Sequence, residues 1–202
     1  MGNVRLCVLV SGSGTILEAM IDSGLDIALV ASDRVCRGLE IAREADIESL
    51  LVDRTQFGGF AATFDRPGYS QALADLVTAR DIDLIAMAGF GTITTAEFQH
   101  AFPGRVLNTH PSLLPMFKGW HAVRQAIEAG VTETGCTVHV VTVELDAGPV
   151  LARGRVAVLA GDDEASLHER IKAVERTLYP HVVKDVVTAI GEGREPSDLV
   201  IL

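Results

Sequence analysis

The 202 residues carry a net charge of −10 at pH 7, which argues against nucleic acid as a general partner, because a phosphate backbone needs a basic face. Hydrophobic residues make up 48% and the mean hydropathy is +0.30, yet no run of about 18 apolar residues occurs, so no membrane span is implied. A chain of this length buries roughly 70% of its unfolded surface, enough for one domain over 1–202 without staples.

The chain opens on the apolar run RLCVLV, a buried strand and not a signal peptide, because it leads into the glycine loop SGSG and not into a cleavage site. TILEAMIDSG has helical spacing through Ile16, Leu17, Met20 and Ile21, closed by Gly24. DIALVAS is a second strand, RGLEIAREADI a second helix and SLLVD a third strand. The segment 54–68, RTQFGGFAATFDRPG, reads as a loop too long to be a mere connector. YSQALADLVTAR is a helix, DIDLIAMAGF a fourth strand, TTAEFQHAF a short helix, RVLNTH a fifth strand and AVRQAIEAG a helix. GCTVHVVTVELDAGPVLARGRVAV then alternates in two blocks, as two strands around a loop. The last long segment, from Asp162 to Ile190, is helical, with Asp162 and Asp163 at its start and Pro180 expected to kink or divide it.

Strands alternating with helices predict an α/β, doubly wound, Rossmann-like sheet of seven mostly parallel strands, with one antiparallel strand near the C-terminal edge. Ligands bind such sheets beyond the carboxyl ends of the strands. SGSGT, AGFGT, NTHPS and ELDAGP all follow strands, so these four segments are the candidate site. The three cysteines, Cys7, Cys36 and Cys136, are odd in number and lack metal-site spacing. They read as free thiols of a cytoplasmic protein. No HExxH or clustered His/Cys/Asp set points to a metal.

In VLVSGSGTI, Gly12 and Gly14 let the backbone approach a ligand and Thr15 opens a helix whose free N–H groups suit an anion. The loop lacks the third glycine of a dinucleotide fingerprint and the Gly-Lys-Ser/Thr of a Walker loop. A monophosphate fits better than a pyrophosphate, and a plain strand–helix turn fits the loop equally well. In NTHPS, Asn108 and His110 lie two apart on a strand and so project from one face. A lone histidine is more often structural. An amide beside it makes a pair that can donate to an oxyanion and handle a proton. Asp146 in ELDAGP is by itself an ordinary turn residue; close to His110 it would favour an imidazolium there. Ser112 reads as a turn former, and no serine or cysteine nucleophile is present. The residues therefore suit direct acyl transfer to an amine.

Taken together, SGSGT, AGF, VLNTHPSLLPMFKG and GCTVHVVTVELDAGPV resemble the folate-dependent formyltransferases, and among them the phosphoribosylglycinamide formyltransferases, from about Arg5 to Tyr179. NTHPSLLP and LDAGP are shared by formyltransferases generally and name the chemistry; the SGSGT loop suggests the acceptor. The resemblance implies formyl transfer from 10-formyltetrahydrofolate to the amine of phosphoribosylglycinamide, in purine biosynthesis, without a metal. It implies that Asn108 holds the formyl oxygen, that His110 stabilises the oxyanion and moves the proton, and that Asp146 supports the charged ring. Ser13, Gly14, Thr15 and Ile16 would cradle the phosphate and Glu175 would bond the ribose, although spacing alone makes Glu175 an exposed helix carboxylate. Arg66 and the stretch Gly91, Thr92, Ile93 and Thr94 would meet the folate. By the same resemblance 1–100 is the phosphate-binding half and 101–190 the catalytic and folate-binding half, in a monomer or homodimer. Two positions depart from the family pattern: Ile16 stands where asparagine is usual, and Gly91-Thr92 where Met-Arg is usual. A formyl-folate hydrolase and an inactive folate-binding homologue are the alternatives; formate release without acceptor, or binding without turnover, would mark them.

Overall fold

The first strand shows how the core is divided. In β1 (Leu6–Val10) all five residues are buried. Leu6, Val8 and Val10 enter one apolar layer while Cys7 and Leu9 enter another, the alternation of a strand covered on both faces. In the computed structural model, which describes residues 4–199, β1 lies near the middle of a seven-stranded sheet. The others are β2 (Ile27–Ser32), β3 (Ser49–Leu51), β4 (Leu84–Met87), β5 (Val106–His110), β6 (Glu133–Val140) and β7 (Val150–Ala157), in the order β3-β2-β1-β4-β5-β6-β7. Strands β1 to β5 are mutually parallel; β6 runs against both β5 and β7. The single reversed strand is therefore one place in from the edge.

Helices cover both faces. Leu17 and Met20 of α1 (Thr15–Asp22), Leu39 and Ile41 of α2 (Arg37–Glu44) and Tyr179 to Val186 of α6 (Glu164–Gly191) fill one layer. Tyr69, Leu73 and Val77 of α3 (Arg66–Thr78) and Phe98 of α4 (Ala96–Ala101) fill the other. A smaller cluster joins Val123 of α5 (Ala122–Glu128) to Cys136, Val156, Leu167 and Ile171. Among the described residues no helix is long and apolar enough to cross a membrane.

Two local expectations are corrected. The segment 54–68 is not all loop: residues Arg54–Phe57 form a short 3-10 helix, and α3 begins at Arg66 because Asp65 caps it, accepting from the Gly68 N–H at 2.9 Å, with Pro67 in the first turn. Pro180 does not divide α6, which runs 28 residues through it. The proline removes one backbone donor, but Tyr179, Val182, Val183 and Val186 are fully buried around it, and that packing holds the helix together. Its start is set by a capping box between Asp163 and Ser166.

Tyr179 also ties α6 to the sheet, its hydroxyl donating to the Leu107 carbonyl at 3.1 Å. Replacing Tyr179 with Phe should cost about 1 kcal/mol and lower the thermal midpoint by roughly 2–4 °C, read by calorimetry.

Candidate active site

Strand β5 ends on Asn108, Thr109 and His110, and the turn after it is tied down by backbone and hydroxyl bonds. The Ser112 N–H donates to the His110 carbonyl at 2.8 Å, and the Ser112 hydroxyl to the Met116 carbonyl at 2.6 Å. From β6, Thr137 donates to the Ser112 carbonyl at 2.7 Å and accepts from the Leu114 N–H at 3.0 Å. Arg153 of β7 places Nε and Nη2 on the Leu114 carbonyl, and the Leu114–Pro115 bond is cis. Ser112 is a turn former, as its sequence context suggests.

The His110 ring is buried. Its Nε2 lies 2.8 Å from the Phe117 carbonyl, which can only accept, so Nε2 carries a proton. Its Nδ1 faces Asp146 Oδ2 at 3.4 Å. Asp146 adopts a left-handed backbone, φ 49°, and its carboxylate also takes the Gly119 N–H at 2.8 Å. The other oxygen lies 3.6 Å from Nε2 of His139. Burial pushes this carboxyl up, but the His139 ring, the Gly119 N–H and the positive character of both imidazoles outweigh it. Asp146 is held below the usual carboxylate range.

His139 is a member of the site that sequence reasoning misses. It is buried on β6 directly opposite Asn108, with Nε2 3.3 Å from the Asn108 amide nitrogen and Nδ1 3.0 Å from the Val140 carbonyl. Alternation in CTVHVV places it on a strand, but its partner emerges only from the antiparallel register. The same register alters the expectation for ELDAGP. Because β6 is reversed, Val140 lies beside Leu107, three residues back from His110. The 141–149 loop therefore does not extend a parallel strand's carboxyl end; it folds back to bring Asp146 to His139 and His110.

At the far side stands the glycine loop. Gly14 has φ 74°, and a Cβ there would sit 2.8 Å from the Gly38 Cα, so turn and helix contact both require glycine. Ser13, Thr15 and Ile16 surround it at the start of α1. Across from them, α6 contributes Glu175, which is buried and not the exposed carboxylate that spacing suggests. It accepts from the Thr109 hydroxyl at 2.9 Å. Burial raises its pKa to about 7, against the weaker opposing effects of Thr109, Lys172 and Arg176.

The segment Gly91–Thr95 forms another wall. Ile93 is partly exposed, whereas Thr92 and Thr94 turn inward and are buried. The Thr94 hydroxyl accepts from Gln99 and the Thr92 hydroxyl is engaged by Arg54 and Asp33. Arg66 is not brought to this wall: it is the exposed first residue of α3 and lies outside the cavity lining.

One cavity of about 650 Å³ joins the glycine loop, Gly91–Thr95, Asn108, His110, His139, Asp146 and Glu175. Its volume falls in the usual range for small-molecule sites, roughly 300–1,000 Å³. Trp120, Val143 and Leu145 give it apolar, exposed borders. Residues 4–183 match the formyl transferase family. This chain belongs to that family. As a formyltransferase it is 41% identical to a phosphoribosylglycinamide formyltransferase of Mycobacterium tuberculosis, over 91% of this chain and 85% of that protein. It is 37% identical to one of Escherichia coli K12, over 89% and 85% of the two chains. The crystal structure of glycinamide ribonucleotide transformylase 1 from Symbiobacterium toebii superposes with a TM-score of 0.83 at 40% identity, covering 96% of this chain and 91% of that one.

Within this formyltransferase Glu175 has a measurable signature. Its folded-state pKa of about 7 exceeds the ordinary 4.5, so between these values the folded chain keeps a proton that the unfolded chain has lost. Its stabilisation is complete below pH 4.5 and is lost as pH rises through 7. Urea titrations should show the wild type losing about 2–3 kcal/mol more than Glu175→Gln between roughly pH 5 and 8.

Proposed function

We propose that this formyltransferase moves the formyl group of 10-formyltetrahydrofolate to the amine of phosphoribosylglycinamide, the acceptor named in its relatives. The observation that carries the reading is the convergence of Asn108, His110 and Asp146 in the cavity that also holds the glycine loop and Glu175. The ribonucleotide phosphate lies at the free N–H groups of residues 13–16, with Ile16 contributing backbone only, and Glu175 accepts from the ribose hydroxyls. The folate passes between Gly91–Thr94 and the apolar border at Val143 and Leu145. Because the Thr92 and Thr94 hydroxyls are occupied, the folate meets backbone and Ile93 on that wall. The 1–100 half thus carries most of the phosphate site and 101–190 the reacting groups.

The neutral amine attacks the formyl carbon, and the C=O pair moves onto oxygen. Asn108 Nδ2 donates to that oxyanion. His110 Nε2 gives its N–H to the Phe117 carbonyl; a developing oxyanion is a stronger acceptor and replaces it. Asp146 stays ionised behind Nδ1 and stabilises the charge that develops on the ring. As the intermediate collapses, the bond from the formyl carbon to the folate nitrogen breaks, and a proton passes from the amine nitrogen to the folate nitrogen, relayed at His110.

The test is a product assay with both substrates: formylated ribonucleotide and tetrahydrofolate should appear in equal amounts. Formate released at the same rate without acceptor would overturn the assignment. Asn108→Ala should lower kcat about 10²–10³-fold by removing an oxyanion donor. His110→Ala and Asp146→Asn should each lower kcat by about 10²–10⁴ while the circular dichroism spectrum stays that of the wild type. Wild-type turnover in either variant would exclude the proton-handling role.

A further inference from the structure

Asp33 follows β2 and its side chain is fully buried. A buried carboxylate is costly unless its oxygens are bonded, and here they are bonded to parts of the chain far apart in sequence. Arg34 grips both oxygens, with Nε and Nη2 each at 2.9 Å. The Thr92 hydroxyl donates to Oδ2 at 2.7 Å. The Ser11 hydroxyl faces the same carboxylate and, with Arg34 and Thr92, keeps its pKa low against the larger effect of burial. Ser11 leads into the glycine loop; Thr92 belongs to the opposite wall. Ser11 also accepts the Gly91 N–H at 2.8 Å, so the two loops are bridged at the carboxylate.

Arg54 reinforces one side only. Its backbone N–H donates to the Asp33 carbonyl at 2.9 Å, its Nη1 to the Thr92 hydroxyl at 2.7 Å and its Nε to the Gly59 carbonyl at 2.6 Å. The guanidinium lies 3.9 Å from the centroid of Phe64 and 4.6 Å from that of Phe60, a cation–π arrangement that restricts it. Neither Asp33 nor Arg54 lines the cavity.

We propose that Asp33 is a positioning residue that locks the glycine loop and the Gly91–Thr95 wall into one frame, with Arg54 fixing the second of them alone. Its kinetic consequences rest on the formyl-transfer reading; its structural content does not. Much of the cavity-facing surface of both loops is glycine, serine, threonine and backbone, which does little to order itself. A charge that two loops share sets their separation, and that separation is the span between phosphate and folate.

The test is amide hydrogen exchange of the ligand-free full chain, followed by kinetics. Asp33→Asn should accelerate exchange at Gly38 and Glu18, whose N–H groups donate to the glycine-loop carbonyls of Gly12 and Gly14, and at Gly91, and Arg54→Met at Gly91 only, by about tenfold for a lost charge-assisted bond. Asp33→Asn should raise KM for both substrates, and Arg54→Met for the formyl-folate alone, by at least about fivefold with kcat within about twofold. Arg54→Lys, which restores one donor, should recover most of the loss. Faster exchange across β1 and β4 as well, or identical changes in both loops from both variants, would reduce the cluster to general stability and overturn the proposal. If Asp33→Asn does not fold, wild-type exchange and KM in Arg54→Met overturn it. A wild type without transfer activity defeats the functional reading, while the exchange pattern still decides the frame.

Discussion

The antiparallel pairing of β5 with β6 is the constraint on which the reacting groups depend. It sets His139 opposite Asn108 and Thr137 opposite His110. Side chains two apart share a face, so a slip of one residue would put a valine where His139 stands and turn the imidazole to the other layer. β6 also runs against β7; a parallel β7 would require a crossover of a dozen residues or more, whereas the reversal allows the short 141–149 loop. That loop carries Asp146 to both imidazoles. One reversal in a parallel sheet thus gathers an amide, two rings and a carboxylate from two segments, 108–110 and 139–146, far apart in the chain.

Three buried carboxylates lie in or behind the cavity walls, and their partners decide their charge. Asp146 has two imidazoles and a backbone N–H; Asp33 has a bidentate guanidinium and two hydroxyls. Both are held low despite burial. Glu175 has one hydroxyl and the weaker pull of Lys172 and Arg176, and burial wins. The first two supply fixed negative charge, one beside the proton-handling ring and one beneath the walls. Glu175 exchanges its proton near neutrality and has a single hydroxyl, that of Thr109, bonded to it. A group left under-bonded in the free protein is one whose binding partner still has something to gain.

Much of this is legible in the sequence, for definable reasons. Apolar runs and helical spacing mark the elements because a doubly covered sheet demands them. Asn108 and His110 are paired by strand periodicity alone. Their meeting with Asp146 needs the family resemblance, because turn composition carries no direction. His139 stays hidden because alternation names a strand and not its neighbour. Glu175 reads as exposed because a hydroxyl from another element, Thr109, permits its burial. Pro180 reads as a break because local rules do not count the packing around it. The resemblance assigns Arg66 to the folate; its place at the exposed start of α3 follows from the Asp65 cap, which loop composition does not reveal.

The substrate-facing segments share one further property. Phe117, Gly119, His121 and Asp146 all have positive φ, at 56°, 78°, 63° and 49°, conformations that cost a non-glycine residue roughly 1–2 kcal/mol each. Such a run persists only where its surroundings over-determine it. Here they do: Thr137 holds Ser112 and Leu114, Arg153 holds Leu114, and Asp146 holds Gly119. Acyl transfer depends on reacting atoms held within a few tenths of an ångström, and a 1 Å error costs about two orders of magnitude. Flexible turns cannot supply that accuracy themselves. It comes from Thr137 of β6 and Arg153 of β7, neither of which lines the cavity, so the rigidity of the turn rests on side chains behind the lining.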